Sequence, residues 1–364
     1  MNEFKLRRLG TIMQPEAGND MEIEGVLNPA AIRGPDGELY LFPRIVAKNN
    51  YSRIGIARVR FNQDGDPVGV DRLGIVLEPE ADYEKRPDGG GGCEDPRITY
   101  VEPLQYYQMT YTAYGPKGPR IAIAQSKDLF KWERLGLVSY LPFEQVDFNG
   151  IDDKDASLFP VKLINPHGHL SVAMLHRPLF PGTRPEDTVE LEKNRKIDLR
   201  LESIWISYCD LKPGKCATYH NAKFASHHRL ASPVEKWETL KIGAGTPPVL
   251  TKFGWMIFYH GVHEIADSSA EHRHLCYSAG VMILSETQVN KIIYRSRQPV
   301  LVPELPEETV GTIADVVFPT GIDCRHDLGK PDRFDIYYGM ADDRIGVATM
   351  ELPDILPTGA QPDR

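Results

Sequence analysis

Asp95-Pro96-Arg97-Ile98-Thr99, Tyr106-Tyr107-Gln108-Met109-Thr110-Tyr111 and Arg120-Ile121-Ala122-Ile123-Ala124 follow one another as three short apolar runs separated by turn residues. Enrichment in β-branched and aromatic residues, bounded by Gly, Pro and polar clusters, is the pattern of strands. Ser126-Lys127-Asp128-Leu129-Phe130-Lys131-Trp132 then reads as a polar turn into an outer strand. The same order occurs upstream, in Asn28-Pro29-Ala30-Ala31-Ile32, Leu39-Tyr40-Leu41-Phe42 and Ile54-Gly55-Ile56-Ala57. It returns three times downstream. Those copies begin at Asp155-Ala156-Ser157-Leu158, Thr246-Pro247-Pro248-Val249 and Val316-Val317-Phe318-Pro319.

Five self-similar units of three to four strands predict an all-β chain folded as a five-bladed β-propeller. A blade alone leaves both faces exposed, and stacking around an axis buries them. The spacing exceeds the usual repeat of about 40–50 residues, so long loops must decorate the blades; the polar stretch 179–203 is one. The competing architecture is a pair of β-sandwiches. Residues 1–364 are therefore expected to form a single catalytic domain, with a peripheral N-terminal segment (about 1–25) and a C-terminal tail (about 353–364).

Composition narrows the class. The chain of 364 residues is 41% hydrophobic and 26% charged, as expected of a globular protein, and its net charge is −9. That balance argues against a nucleic-acid partner, which needs a basic face. No apolar run of about 18 residues predicts a membrane span, and no leader is evident at the N-terminus. The five cysteines are scattered, with no CxxC pair, which fits reduced thiols and a cytoplasmic location better than disulfides or zinc. Phosphate-binding P-loops, dinucleotide GxGxxG turns, HExxH and GxSxG are missing.

Chemistry is expected where the blades converge, because polar groups at equivalent strand starts meet in one pocket. Those starts carry Asn28, Glu94, Asp95, Arg97, Lys154, Asp155, Thr246 and Asp315, and the second-strand ends carry Arg44, Tyr111, His176, Arg177, His260 and Tyr338. Asp95 is the leading acid: burial and the neighbouring Glu94 would raise its pKa, whereas a direct pair with Arg97 would lower it. An Asp95–Arg97 ion pair that merely ties a blade together is the bland alternative. Arg120, Lys154, His176 and Arg177 form a candidate anion site, against the reading that each is a solvated cation or a core histidine. Asn50 and Arg53 suit sugar hydroxyls, and equally suit a soluble loop. The run Gly89–Gly92 reads as a flexible approach to the channel.

These motifs carry a resemblance. Asn28-Pro29-Ala30-Ala31, Cys93-Glu94-Asp95-Pro96-Arg97, Met109-Thr110-Tyr111-Thr112-Ala113, Lys154-Asp155-Ala156, Leu175-His176-Arg177-Pro178, Tyr259-His260-Gly261-Val262 and Val316-Val317-Phe318-Pro319 resemble, in order and over nearly the whole chain, glycoside hydrolase family 130. That family comprises β-mannoside phosphorylases and β-mannosidases on a five-bladed propeller. The resemblance implies that Asp95 is the proton donor, acting through the mannose 3-hydroxyl. Inorganic phosphate would be the co-substrate, attacking the anomeric carbon with inversion to give α-mannose 1-phosphate. It implies no cofactor and no metal. Arg120, Lys154, His176 and Arg177 would hold phosphate; Asn50, Arg53, Glu94, Arg97, Tyr111, His260 and Asp267 would contact sugar.

The expected partners are a β-mannoside oligosaccharide and phosphate, with neither nucleic acid nor membrane; a homo-oligomer is the one protein assembly left open. Glu94 stands where other members have tyrosine, which points to the oligomannoside-acting branches. His263 stands where several have aspartate, leaving Asp267 as the nearest replacement. Retention of the cations favours a phosphorylase over a hydrolytic mannosidase. A glycan-binding propeller without catalysis is the alternative from another class.

Overall fold

The computed structural model describes residues 4–142, 147–180, 201–210, 223–265 and 274–358. Within them the protein is all-β with almost no helix. The antiparallel strands group as the sequence repeat predicts. The first unit is Gly25–Arg33, Leu39–Ala47, Tyr51–Phe61 and Pro67–Leu77. The second is Gly91–Val101, Tyr106–Gly115, Gly118–Ser126 and Glu133–Leu137. The third is Asp152–Leu158, Leu170–Leu179, Ile204–Cys209 and Lys223–Ala231. The fourth sets Lys241–Ala244 and Val249–Thr251 against Gly254–Ile265, followed by His274–Leu284 and Ile292–Arg295. The fifth is Val317–Cys324, Arg333–Met340 and Arg344–Glu351, completed by Leu6–Met13.

Residues 6–13 are thus an edge strand of the fifth unit rather than the peripheral segment their sequence suggests. The reason is the open edge that Arg344–Glu351 presents, which pairs with Leu6–Met13 over most of its length. Most of the insertion at 179–203 lies outside the described residues.

Apolar side chains occupy the spaces between consecutive units. Phe42, Ile54 and Ile56 meet Met109, Tyr111 and Ala122. Ile121 and Ile123 meet Leu158, Met174 and Trp205. Leu175 and Ile206 meet Ile257 and Tyr259, and Phe258 and Val281 meet Phe334 and Ile336. Tyr337 and Val347 of the fifth unit meet Val26 and Leu41 of the first. Each sheet buries both faces against its neighbours, so its strands read as nearly continuous apolar runs rather than alternating ones.

A second repeat is visible only in three dimensions. The loop entering a unit carries a buried glutamate that ties the unit's second strand to its outermost strand. Glu84 accepts from Tyr111 Oη (2.6 Å) and Arg134 Nε (2.9 Å). Glu238 accepts from Tyr259 Oη (2.6 Å) and Arg295 Nη2 (2.7 Å). Glu308 accepts from Tyr338 Oη (3.0 Å) and Arg8 Nε (2.8 Å). In the first unit Glu22 accepts from Arg72 without a tyrosine. Each carboxylate also accepts backbone amides of its own loop, so these buried charges are both paired and hydrogen-bonded.

Within the four-glycine run, Gly91 and Gly92 belong to the frame rather than to a flexible channel entrance. Gly91 and Gly92 bridge in parallel to Tyr51 and Ser52 of the first unit. Both have positive φ (77° and 114°), and a Cβ on either would overlap a backbone carbonyl, Tyr114 O and Ser52 O respectively. Glycine is required there for two units to join closely.

The latch can be tested in the fourth unit. Glu238→Ala removes the carboxylate that Arg295 and Tyr259 share and is expected to cost about 3–5 kcal/mol, against a smaller loss for Tyr259→Phe. Chemical denaturation of the two variants measures this.

Candidate active site

The inner strands are interrupted where the acid residues sit. Register slips between Leu27 and Ala30, between Glu94 and Arg97, and between Lys154 and Ser157. Within those bulges Asn28 (φ 45°), Asp95 (φ 47°) and Asp155 (φ 56°) are left-handed, and Asp315 (φ 58°) enters the fifth unit in the same way. Asn and Asp tolerate this conformation better than other side-chain-bearing residues. A bulge re-aims the side chain it carries, and these bring residues of separate units together.

Asp95 and Asn28 meet first. Asn28 Nδ2 donates to Asp95 Oδ1 at 2.9 Å. Space for the amide comes from Gly339, where any Cβ would overlap Asn28 Oδ1. Arg44 Nη1 reaches the same Asp95 oxygen at 3.4 Å. Its Nη2 donates to Glu94 Oε1 (2.8 Å) and Asn50 Oδ1 (2.7 Å), and its Nε to Ser52 Oγ (2.9 Å). Lys154 lies 3.9 Å from Glu94 Oε2 and over the Tyr114 ring, with its side chain 28% exposed. It is a cation in reach of solvent beside the acid.

A second cluster adjoins this one. Asp155 Oδ2 accepts from Arg177 Nε at 2.6 Å, with His260 Nε2 at 3.6 Å. Arg177 also pairs with Glu202. His260 packs 4.4 Å from Phe318 and is buried, yet neither ring nitrogen has a hydrogen-bond partner among the described residues.

The electrostatics differ from the sequence expectation. Burial pushes the Asp95 carboxyl up, but Arg44, Arg97, the Asn28 amide and Lys154 outweigh it and hold the group below the usual carboxylate range. Asp155 is likewise held low against burial by Arg177, His260 and Arg97. Burial depresses His260 to about 3, so its ring is neutral near pH 7. Burial raises the Asp342 carboxyl to about 6, with Asp95 and Glu94 pushing the same way and Arg44 and Lys154 opposing. Asp342 was missed from sequence. It sits at a hairpin tip beyond the strand Arg333–Met340, and its only local signal is the unusual pair Ala341-Asp342 where turns favour Asn-Gly.

Several expected site residues do other work. Arg97 is fully buried and does not pair with the Asp95 carboxylate: its guanidinium donates to Asp95 O (2.7 Å) and Gly245 O (2.9 Å), tying the second unit to the fourth. Tyr111 belongs to the Glu84 latch. His176 is adjacent to Arg177 but, because alternate residues of a strand face opposite ways, it points into the third unit. There Nδ1 meets Asp153 Oδ2 (2.8 Å) and Nε2 meets Ser207 Oγ (2.7 Å). Arg53 pairs with Glu78 and stacks on Tyr51. Arg120 pairs with Asp152 and lines a recess of about 540 Å³ with Lys117, Tyr140 and Phe148, whose lining includes none of Asn28, Arg44, Asp95 or Lys154. Asp267 lies outside the described residues.

The description beta-1,4-mannooligosaccharide phosphorylase attaches to the glycoside hydrolase family 130 model, which matches residues 6–358. A 1,2-beta-oligomannan phosphorylase of Thermoanaerobacter sp. strain X514 is 32% identical over 362 residues, covering 97% of this chain and 99% of the relative. A beta-1,4-mannooligosaccharide phosphorylase of Ruminococcus albus is 28% identical over 296 residues, covering 81% and 73%. The solved structure of a beta-1,2-mannobiose phosphorylase from Listeria innocua, in complex with beta-1,2-mannobiose, superposes with a TM-score of 0.68 at 20% identity, covering 96% of this chain and 97% of that one. The chain belongs to glycoside hydrolase family 130.

The buried histidines set an acid-side stability limit. His260 and His227, depressed by burial to about 3 and about 4, are neutral when folded and take up protons on unfolding below about 6.5. The unfolded state binds more protons there, so stability falls as pH drops from about 6.5 toward 4. His260→Gln should flatten that decline, as read by thermal denaturation at several pH values.

Proposed function

We propose that the protein is an inverting β-mannoside phosphorylase built as a single five-bladed propeller domain. The propeller reading is supported by the apolar layers between successive units, the last of which joins the fifth unit to the first. Completion of the fifth unit by the N-terminal strand supports it as well. Family membership supports the mannoside. The similarity to the 1,2-beta-oligomannan phosphorylase, which spans nearly both chains, favours a β-1,2 linkage.

The observation that carries the reaction class is the pairing of a hydrogen-bonded acid, Asp95, with a partly exposed ammonium, Lys154, held only at 3.9 Å from the Glu94 carboxylate. In the free protein Asp95 is ionised. A phosphate dianion docking beside Lys154, with Arg177 behind it, offsets the cations that stabilise that charge and raises the proton affinity of Asp95. Asp95 then passes its proton, through the mannose 3-hydroxyl, to the leaving glycosidic oxygen. A phosphate oxygen bonds to the anomeric carbon from the opposite face as the glycosidic bond breaks. The proton carried by the attacking phosphate is released to restore the acid. The products are α-mannose 1-phosphate and a mannoside shortened by one unit. Since the nucleophile arrives charged, the protein's task is to position it, and the base of an ordinary inverting glycosidase is dispensable. Asn50, Glu94 and Arg44 form a hydrogen-bonding wall for the sugar, and His260 offers its free ring nitrogens.

β-1,2-Mannobiose and β-1,4-mannobiose, each incubated with and without inorganic phosphate, test the proposal. Phosphate-dependent formation of α-mannose 1-phosphate is expected. Mannose release that is indifferent to phosphate would identify a mannosidase, and binding without turnover a glycan-binding protein. Asp95→Asn is expected to lower kcat by at least about 10³-fold while leaving the thermal midpoint nearly unchanged.

A further inference from the structure

We propose that Arg97 is a positioning residue for the acid: without touching substrate, its guanidinium holds the peptide of Asp95 inside the bulge and so sets where the Asp95 carboxyl points. The inference rests on the reading above in which Asp95 protonates the departing mannoside.

The backbone at Asp95 needs an outside hold. Glu94 pairs with Thr112 and Arg97 with Thr110, so Asp95 and Pro96 together oppose Tyr111 alone. Asp95 is left-handed (φ 47°) although a proline follows it, and the residue before a proline is pushed toward extended backbone. Pro96 also has no N–H with which to tie the bulge to a neighbour. Such a conformation costs on the order of 1–3 kcal/mol and persists only where the surroundings over-determine it.

Arg97 supplies that hold. It is 1% exposed, so its guanidinium has no face left for substrate. Nη1 donates to Asp95 O at 2.7 Å and Nε to Gly245 O at 2.9 Å. Nη2 lies 3.5 Å from Ala244 O and 3.7 Å from Asp155 Oδ1. The Phe318 ring packs on the guanidinium, its centroid 5.6 Å from Cζ. One side chain therefore fixes the peptide of the acid against the third, fourth and fifth units. The fourth-unit anchor is itself rigid. Gly245 N and Thr246 N both donate to Phe258 O, and a Cβ on Gly245 would overlap Phe258 O and Pro319 O. Because Arg97 takes the Asp95 carbonyl, the carboxyl is left to Asn28 and Arg44. Burial works against the Arg97 charge, with Asp155 and Asp95 opposing that loss. A planar fork reaches two carbonyls in fixed directions, which an ammonium on a flexible stem does not reproduce.

Turnover of two substrates by Arg97→Lys separates positioning of the acid from support of the fold. β-1,2-Mannobiose needs a proton on its leaving oxygen, whereas the fluoride of β-mannosyl fluoride departs as a stable anion and does not depend on the acid. With mannobiose, Arg97→Lys is expected to lower kcat about 10²-fold, the scale of a displacement near 1 Å at the reacting groups, with KM nearly unchanged. With β-mannosyl fluoride its kcat is expected to stay near the wild-type value, as is that of Asp95→Asn. An equal loss on both substrates would overturn the inference, because it marks a generally damaged site, and so would an unchanged kcat on mannobiose. If Arg97→Lys does not fold, Arg97→Gln carries the same comparison, since it keeps an amide donor for the Asp95 carbonyl without a buried charge. Rates are read as substrate consumed, with and without phosphate. A wild-type protein that hydrolyses mannobiose would refute phosphorolysis yet leave this comparison intact, so the two failures are distinguishable.

Discussion

A buried glutamate, fixed by the amides of its own loop and bonded to an arginine of the outermost strand, recurs in the first, second, fourth and fifth units. In three of them a tyrosine of the second strand completes the arrangement. The interaction spans a sheet from its interior to its edge and sets where the connecting loop enters the next inner strand. Because the glutamates are nearly fully buried, the loop amides and the arginine are what make their charge tolerable. Arg8 explains why the N-terminal strand belongs to the fifth unit: the Glu308 latch would lack its cation without it.

Once the loops are anchored, the bulges do the rest. The inner strands of the first three units slip register at a left-handed Asn or Asp, and the side chains so aimed come from different units. The result is an acid surrounded by cations. That environment favours the ionised Asp95. In the proposed reaction the same cations suit an anionic nucleophile, whose arrival would reverse the bias and so couple protonation of Asp95 to occupancy by phosphate.

The repeat was legible along the chain because strand periodicity and turn residues are local properties. The grouping of Asp95 with Glu94 and Lys154, and of Arg177 with His260, was legible as well, since polar residues at strand starts and ends break an apolar pattern. Other expected residues face away from the cluster. His176 is next to Arg177 and Arg53 next to Ser52, but a strand alternates its faces. Which face each residue takes depends on where the bulge falls, and that depends on partners elsewhere in the fold.

By itself the sequence determined an all-β architecture of repeated units, a candidate acid in the second unit and the family, because all of these rest on short motifs read in order. Only the tertiary structure decided that Arg44 rather than Arg97 faces the Asp95 carboxylate, that the glycine run is a joint between units, and that Asp342 joins the site. Each of those is a contact between segments remote in sequence, settled by loop anchoring and strand register rather than by local composition.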